Sequence, residues 1–362
     1  MTPSAFVQQR SKIKPEAFAY AYNRFNELTN SEDTKTYRGY HLFAIDGTAL
    51  NIAKNPESET YFEQGFNQLH LNALYDLCNK TFKDCMIQPR PKMNENAAFR
   101  EMIKSNRFPK NSIIIGDRLF ANYAIFETVN RTPNLDYLIR ARNKYSTETK
   151  ELPMMNLDVD RTVELRTTNS KKDKEDFKSG RAKWIAGPSK FGKEKKHVSW
   201  EFESPCSITM RIVRFQLPSG EYETIITSLN RLDFPLSDII ELYSMRWGIE
   251  TSFRELKYAM GMTNFHAVRE DFILQEIYAK LLMYNLAMRI AMHVPLTKAT
   301  GKYDYQINFT HAMYICMLFF RNRGSPPIEA EISSCIEPIR PGRSDKRKIV
   351  PKSFIPFIYR VA

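Results

Sequence analysis

The stretch Ser112-Ile113-Ile114-Ile115-Gly116, with Asp117 directly after it, decides the fold class. A continuous β-branched run predicts a strand that is buried on both of its faces. Residues 42–45 form another short apolar strand, residues 122–129 predict a helix, and residues 136–142 predict a third strand. Alternating strands and helices indicate an α/β sheet with helices packed on it.

The regions around this α/β pattern differ in composition, and they predict four parts of the chain. We expect a helical N-terminal part, an α/β domain, a β-rich insertion that interrupts the domain, and a basic tail. These are residues 1–36, residues 37–142 with 230–330, residues 143–229, and residues 331–362. Within the insertion, Pro218-Ser219-Gly220 joins two predicted strands as a hairpin. Residues 171–196 hold ten Lys or Arg against four Asp or Glu, which predicts a basic loop.

The overall composition is that of a globular protein with an excess of basic residues. Of the 362 residues, 43% are hydrophobic and 26% are charged, which excludes a disordered chain. Lys and Arg number 53 against 41 Asp and Glu, so the formal net charge is +12. This excess favours a polyanionic partner, either a nucleic acid or an anionic membrane surface.

The pattern of cysteines and apolar residues argues against four other classes of protein. The five cysteines are scattered and form no C-x-x-C pair, so the sequence indicates neither a disulfide framework nor a zinc module. No secretory signal opens the chain, and a reducing cytosol is the expected compartment. The longest apolar stretch, residues 279–294, is interrupted by Asn285, Arg289 and His293, which predicts a buried helix rather than a membrane span.

Asp46 and Asp117 share one position relative to the predicted strands. Asp46 follows residues 42–45, with a separate strand expected over residues 48–52, and Asp117 follows the isoleucine run. Ligands of open α/β sheets bind in the crevice beyond the carboxyl ends of such strands. An aspartate in this position is also common as a turn former or a helix N-cap, so both interpretations stay open.

Residues 237–261 predict one amphipathic helix that carries a polar stripe. The apolar face expected to pack on a core consists of Leu242, Met245, Ile249, Phe253 and Leu256. At about 100° per residue, a sector roughly 60° wide contains Tyr243, Arg246, Glu250 and Lys257, with Arg254 beside it. This stripe runs along the shoulder of the apolar face, where a groove can form. A solvated face with i,i+4 ion pairs is the alternative, and spacing alone does not decide between them.

Asp46, Asp117 and Glu250 would together have the chemistry of a cation site. Carboxylates that are brought together repel one another, and their pKa values rise unless a cation neutralises them. Mg²⁺ or Mn²⁺ takes oxygen ligands from carboxylates and from substrate phosphates. Two such ions can activate a water or hydroxyl and stabilise the leaving oxygen in phosphodiester cleavage. Arginine, lysine and tyrosine on the helix would then bind the phosphates of the strand being cut.

Three motifs make the sequence similar to a known family. They are Ala44-Ile45-Asp46-Gly47-Thr48, Ile115-Gly116-Asp117-Arg118-Leu119-Phe120, and the helix signature Y-x2-R-x3-E-x6-K at Tyr243, Arg246, Glu250 and Lys257. With these motifs the chain resembles the DDE transposases of the fourth insertion-sequence family. The resemblance extends from about residue 4 to the basic tail, and the step of 133 residues from Asp117 to Glu250 fits the family's β-rich insertion.

The resemblance implies a fold, a set of site residues and an activity. The fold is a ribonuclease-H-like mixed sheet flanked by helices, interrupted by a β-rich insertion subdomain and followed by a helical C-terminal part. Asp46, Asp117 and Glu250 would be catalytic and would hold two Mg²⁺ or Mn²⁺ ions, and DNA would be contacted by Tyr243, Arg246, Lys257 and Arg254. Such enzymes cleave a phosphodiester at a transposon end and use the freed 3′-hydroxyl to attack target DNA. They usually act as a homodimer in the synaptic complex, associated with DNA in the cytoplasm and not with a membrane.

Two further features follow from the resemblance. Several relatives stack a flipped base on a tryptophan in or near the insertion, and Trp184 and Trp200 are candidates by location, with core packing or exposure as the alternative. Residues 5–10 resemble the stretch just upstream of the catalytic domain in longer relatives. Residues 1–36 are therefore interpreted as a remnant, and much of the usual amino-terminal DNA-binding region is expected to be absent.

Other functions remain open from the sequence. One is a metal-dependent nuclease on the same fold that does not join strands. Another is a truncated, catalytically silent DNA-binding relic, or an inhibitor of an intact transposase, whose basic segments bind phosphates with steep salt dependence. A membrane-surface role ranks last, because the sequence shows no basic amphipathic helix with an exposed apolar face.

Overall fold

The computed structural model of the chain describes most of its residues: 8–29, 34–62, 65–143, 147–166, 171, 175, 178–180, 182–184, 200–296, 304–322 and 327–339. Most of the predicted basic loop, residues 171–196, lies outside the described residues, as does the basic tail from residue 340 onward. The chain divides into two compact units. One unit holds both ends of the sequence and is called the outer unit for that reason: it contains Met1–Lys35, Gly47–Met93 and Gly248–Ala362. The other holds most of the middle of the sequence and is called the central unit: it contains Thr36–Asp46 and Asn94–Trp247.

Twelve strands and nine α-helices are present in the described part of the chain. The strands are β1 (His41–Ile52), β2 (Tyr61–Phe62), β3 (Phe66–Asp76), β4 (Thr81–Pro89), β5 (Ser112–Gly116), β6 (Leu135–Ala141), β7 (Leu157–Arg166), β8 (Lys183–Trp184), β9 (Cys206–Gln216), β10 (Tyr222–Thr227), β11 (Tyr305–Ile307) and β12 (Ile336–Pro338). The helices are α1 (Pro15–Leu28), α2 (Glu95–Ser105), α3 (Tyr123–Asn130), α4 (Thr147–Lys150), α5 (Leu236–Met245), α6 (Trp247–Tyr258), α7 (Glu270–His293), α8 (Phe309–Asn322) and α9 (Ile328–Ser334).

A mixed sheet in the order β1-β5-β6-β10-β9-β7-β8 forms the central unit. The strands β1, β5 and β6 run parallel, whereas β10, β9 and β7 are joined by antiparallel pairs. All residues of β5 are buried, as its β-branched run predicted. The helix α3 packs against β6 and α2, and the Asn122 side chain caps its N-terminus by accepting a hydrogen bond from Ile125 N at 3.0 Å. The predicted α/β sheet with packed helices is confirmed.

Strand β1 also continues into the outer unit, where its neighbour in the sheet is β3. Strand β4 pairs with β3 in antiparallel register, so the strand order is β4-β3-β1-β5-β6. This order, with β1, β5 and β6 parallel, is that of a ribonuclease-H-like sheet, in agreement with the fold that the motifs predicted.

The β-rich segment adds strands to this sheet. Strands β9 and β10 form the predicted hairpin, and Gly220 in its turn has a φ of +87°, a conformation that favours glycine. Strand β10 pairs with β6 with Arg140 opposite Ile225. The hairpin therefore lies beside the strands that follow Asp117 in sequence.

The outer unit is built around the helix α7, which packs against α1 and β4. The Asn285 side chain, in the middle of α7, accepts a hydrogen bond from Phe82 N and donates one to Phe82 O, both at 2.8 Å. The interruption of the apolar run by Asn285 therefore attaches the helix to β4, because buried backbone groups need partners. Across the described ranges, no helix is both long and apolar enough to cross a lipid bilayer.

Two local predictions are wrong. Residues 41–52 form one continuous strand, so Asp46 lies inside β1 rather than in a turn between two strands. The helix predicted over residues 237–261 is divided into α5 and α6, with Arg246 between them. At this junction Arg246 N bonds to Tyr243 O, three residues back, which replaces the four-residue spacing of an α-helix.

Candidate active site

A row of three polar residues crosses the parallel part of the central sheet. Ile45 pairs with Gly116, and Gly116 pairs with Ile139. The residues that directly follow them are Asp46, Asp117 and Arg140. Because neighbouring strands are about 4.8 Å apart and side chains in register share a face, these three residues lie next to one another. The structure thus brings two of the predicted carboxylates together and adds an arginine.

Arg246 lies over the first carboxylate of this row. Its Nη1 is 3.6 Å from Asp46 Oδ2, and its side chain is 7% exposed against 24% for Asp46. The guanidinium also lies over two aromatic rings, at 5.1 Å from the centroid of Trp247 and 5.8 Å from that of Tyr243. Trp247 is half exposed. Packing on these rings fixes the guanidinium plane beside the carboxylate.

Asp117 forms the turn that the alternative interpretation expected. Its Oδ1 accepts a hydrogen bond from Leu119 N at 2.8 Å, directly after β5. A carboxylate has two oxygens with about four lone-pair positions, so this turn bond leaves capacity for a ligand. The turn-forming interpretation and the cation-binding interpretation are therefore compatible at Asp117.

Two residues that sequence reasoning did not single out, Arg140 and Glu223, belong to the same surface. Arg140 Nε is 3.1 Å from Glu223 Oε2, and the Glu223 side chain is 9% exposed. Burial raises the pKa of Glu223, and the charges of Arg140 and Arg246 oppose that rise. Arg140 was within reach of the sequence, because it lies two residues before the end of the strand predicted over residues 136–142.

Tyr243 is buried next to these charges. Burial raises the pKa of its hydroxyl, Arg246 acts against the rise, and Glu223 adds to it. Its phenol therefore stays protonated at neutral pH and keeps its O–H as a donor. The predicted DNA contacts Tyr243 and Arg246 thus share one charged surface with Asp46.

The remaining predicted site residues, Glu250, Arg254 and Lys257, lie on α6 in the outer unit. Glu250 is in the first turn of α6 and Lys257 in the last, both half-buried, whereas Arg254 is exposed. The predicted apolar face of this helix is confirmed, because Ile249, Phe253 and Leu256 are buried. A Cβ at Gly248 would lie 2.8 Å from Leu77 Cδ2, so a larger residue in the first turn of α6 would displace the Leu77 side chain.

The carboxylates of this region decide which divalent metal ion it could bind. No group of three or more His, Cys, Asp or Glu side chains that could hold a metal ion occurs among the described residues. The adjacent pair Asp46 and Asp117 fits Mg²⁺ better than Zn²⁺, because Mg²⁺ binds through one or two carboxylates and takes further oxygens from water and substrate phosphates.

The structure describes the side chain of one of the two candidate tryptophans, Trp200. The Trp200 side chain is buried, packs edge-on against Phe202 and donates from Nε1 to Glu203 O at 3.2 Å. These contacts favour core packing for Trp200. Trp184 lies in β8, and its side chain is outside the described set.

Comparison with known proteins identifies the family. Residues 37–286 match the family model of the transposase DDE domain. The chain is 22% identical over 342 residues to the transposase InsG for insertion sequence element IS4 of Escherichia coli (strain K12), which covers 90% of this chain and 70% of that protein. A piggyBac transposase in a synaptic complex with hairpin DNA, solved by cryo-electron microscopy, has a TM-score of 0.40 and 13% identity. That match covers 84% of this chain, which spans 59% of the solved chain. Since the family model covers well over half of its residues, the chain belongs to the family of the transposase DDE domain.

Proposed function

We propose that this chain cleaves phosphodiester bonds at transposon ends and joins the freed 3′-hydroxyl ends to target DNA. The observation that carries the proposal is the row of Asp46 and Asp117 on adjacent parallel strands, with Arg246 3.6 Å from Asp46, in a chain of the DDE transposase family. In the first step, water attacks phosphorus and the bond to the 3′-oxygen breaks, which leaves a 3′-hydroxyl. In the second step, that hydroxyl attacks a target phosphodiester and displaces another 3′-oxygen.

The carboxylates have the metal-binding role in this proposal. Asp46, Asp117 and Glu250 would hold two Mg²⁺ or Mn²⁺ ions, which when bound activate the attacking hydroxyl and stabilise the leaving oxygen. Asp117 keeps one oxygen on the turn at Leu119 N, which holds its other oxygen in a constant place. The phosphates of the cut strand would bind to Tyr243, Arg246, Arg254 and Lys257.

The partners and the domain division belong to the same proposal. DNA at the transposon ends and at the target is the substrate, and two copies of the chain would meet in the synaptic complex in the cytoplasm. We also propose a division into a helical N-terminal part of residues 1–36, a catalytic domain of residues 37–142 with 230–330, an insertion of residues 143–229 and a tail of residues 331–362.

The test is an assay on labelled DNA that carries the terminal repeats flanking the gene. Wild type, Glu250→Gln and the control Glu241→Gln are incubated with the DNA and Mg²⁺. Glu241 is an exposed carboxylate on α5 outside the predicted stripe and pairs with Arg38 at 3.3 Å, so its variant tests the loss of a carboxylate away from the proposed metal ligands. We expect Glu250→Gln to lose cleavage by at least about 10³-fold while DNA binding is retained, since the metal ligand acts in the reaction step.

The other outcomes separate the alternatives. Binding without cleavage by wild type and variant supports a silent DNA-binding relic or an inhibitor. Cleavage without a 3′-end joining product supports a simple nuclease. Equal cleavage by wild type and Glu250→Gln contradicts the proposed role of Glu250.

A further inference from the structure

Glu223 is a buried carboxylate. It lies on the face of the sheet where, under the proposed function, DNA binds. It is 8% exposed, lies on β10, and belongs to none of the three motifs that relate the chain to its family. A buried carboxylate is costly unless it is paired, and a negative charge opposes the approach of DNA phosphates. A carboxylate at this position therefore needs a role that compensates for both costs.

The sheet register places Glu223 beside Arg140. Arg140 on β6 is opposite Ile225 on β10, and Glu223 is two residues from Ile225 on the same face. Such diagonal neighbours lie within reach of long side chains. The ion pair of 3.1 Å between Arg140 Nε and Glu223 Oε2 follows from this register.

Arg140 also borders a cleft that begins one residue beyond Asp117. The cleft has a volume of about 470 Å³, and its lining includes Arg118, Arg140 and Arg142. Arg118 and Arg142 are exposed, whereas Arg140 is 39% exposed and its Nε is held by Glu223. An arginine has five N–H donors in a rigid fork, so a guanidinium anchored through Nε presents its outer donors in a constant direction.

We propose that Glu223 is a positioning residue, which holds Arg140 against the wall of this cleft so that its guanidinium meets a DNA backbone phosphate beside Asp46 and Asp117. This inference rests on the proposed function, because it requires DNA on that face. The ion pair fixes a long side chain before DNA arrives, so less side-chain entropy is lost when the phosphate binds.

The direction in which Glu223→Gln changes DNA affinity shows whether Glu223 positions Arg140 or only adds a negative charge. If Glu223 only adds a negative charge, Glu223→Gln removes repulsion and DNA binds more tightly. If Glu223 positions Arg140, the same change weakens binding, because the phosphate contact loses its orientation. A lost phosphate contact also lowers the salt dependence of binding.

The experiment measures affinity for a labelled duplex over a range of salt concentrations. The variants are Glu223→Gln, Arg140→Gln, the double variant, and the control Glu221→Gln, an exposed carboxylate two residues away on the same cleft. We expect Glu223→Gln to weaken binding about three- to tenfold and to lower the slope of log K against log salt by about one unit. The double variant should equal Arg140→Gln, because Glu223 acts through Arg140. Glu221→Gln should bind as wild type or slightly more tightly.

Tighter binding by Glu223→Gln would overturn the inference, and so would a double variant whose loss of affinity is the sum of the single losses. Glu223→Asp, which keeps the charge, should recover part of the affinity and excludes general misfolding as the cause. Modification of Arg140 by phenylglyoxal without DNA gives an independent measurement, and we expect it to be about threefold faster in Glu223→Gln. An unchanged modification rate also overturns the inference.

Failure of the proposed function would look different. A wild-type protein that binds DNA but does not cleave it contradicts the transposase proposal and leaves this binding test intact. A wild-type protein that does not bind DNA at all contradicts both DNA roles, and the phenylglyoxal rates then decide whether Glu223 still holds Arg140.

Discussion

Arg214 and Arg246 are two buried arginines of the central unit, and they differ in what their guanidinium groups bind. Arg214 is fully buried and donates to the backbone carbonyls of Asn143, Thr149, Leu152 and Pro153. Arg246 lies beside the Asp46 carboxylate and the rings of Tyr243 and Trp247. The first environment stabilises a chain segment, whereas the second places a cation beside a carboxylate that we propose as a metal ligand. Burial of an arginine alone therefore does not identify a functional site, and its partners do.

The largest effect that we expect is the loss of stability caused by Arg214→Met, which removes the arginine that binds backbone carbonyls. Buried carbonyls need donors, and this side chain supplies four of them although burial lowers the pKa of its guanidinium. We expect the free energy of unfolding to fall by about 3–5 kcal/mol, because several acceptors lose their partner at once. Urea unfolding followed by circular dichroism measures the change.

The matched control for this prediction is Arg161→Met on β7. Arg161 is exposed, so its loss should change the free energy of unfolding by less than about 0.5 kcal/mol. A stability of Arg214→Met equal to that of the control would show that the carbonyls of residues 143–153 find other donors.

Arg246→Lys tests the other arginine of the comparison, which lies beside the Asp46 carboxylate. Lysine keeps the positive charge and loses the planar fork that packs on Trp247 beside Asp46. We expect DNA cleavage to slow about 10- to 100-fold while the free energy of unfolding changes by less than about 1 kcal/mol. Single-turnover cleavage and urea unfolding measure the two quantities on the same preparation. An unaltered cleavage rate with a loss of stability would place Arg246 with Arg214 as a structural residue.

Elements with strong local patterns were predictable from the sequence. The isoleucine run of β5 is typical of a strand buried on both faces, and Gly220 adopts the positive φ that favours glycine in the hairpin turn. The break predicted at Asp46-Gly47 was wrong, because this pair is typical of turns. In the structure the strand continues past it, since β1 has neighbours on both of its edges. Pairing with distant strands outweighed the local preference.

The site was predictable only as far as its residues follow strand ends or a helical period. Asp46 and Asp117 were singled out because each follows a run of apolar residues, and their adjacency follows from the parallel pairing of β1 and β5. The ion pair of Arg140 and Glu223 depends on the register between β6 and β10, which are far apart in sequence. A shift by one residue would place the two side chains on opposite faces, so no local pattern contains this contact.

Arg211 binds both backbone carbonyls and a carboxylate. We therefore expect the smallest effect when its carboxylate partner is removed. Its Nη1 donates to Leu229 O and Phe234 O, while its Nε and Nη2 bind both oxygens of Asp158 at 2.9 and 2.7 Å. Its hydrogen bonds hold the pKa of Asp158 below its ordinary value, with help from Arg231. Arg211 is thus anchored by carbonyls like Arg214 and paired with a carboxylate like Arg246.

Asp158→Asn should therefore produce a small loss of stability that depends on pH. A carboxyl group with a depressed pKa in the folded state contributes stability above its unfolded pKa of about 3.9, and this contribution is lost as pH falls through the folded value. Because the Asp158 side chain is 29% exposed, solvent screening limits the loss to about 1 kcal/mol near neutral pH. Urea unfolding at about pH 7 and at about pH 2.5 should show this gap at neutral pH and a smaller gap in acid. The exposed neighbour Asp160, changed to Asn, is the control and should lose less than about 0.5 kcal/mol at either pH. If the gap for Asp158→Asn stayed the same in acid, packing rather than charge would be its cause, and the carbonyls of Leu229 and Phe234 alone would hold Arg211 in place.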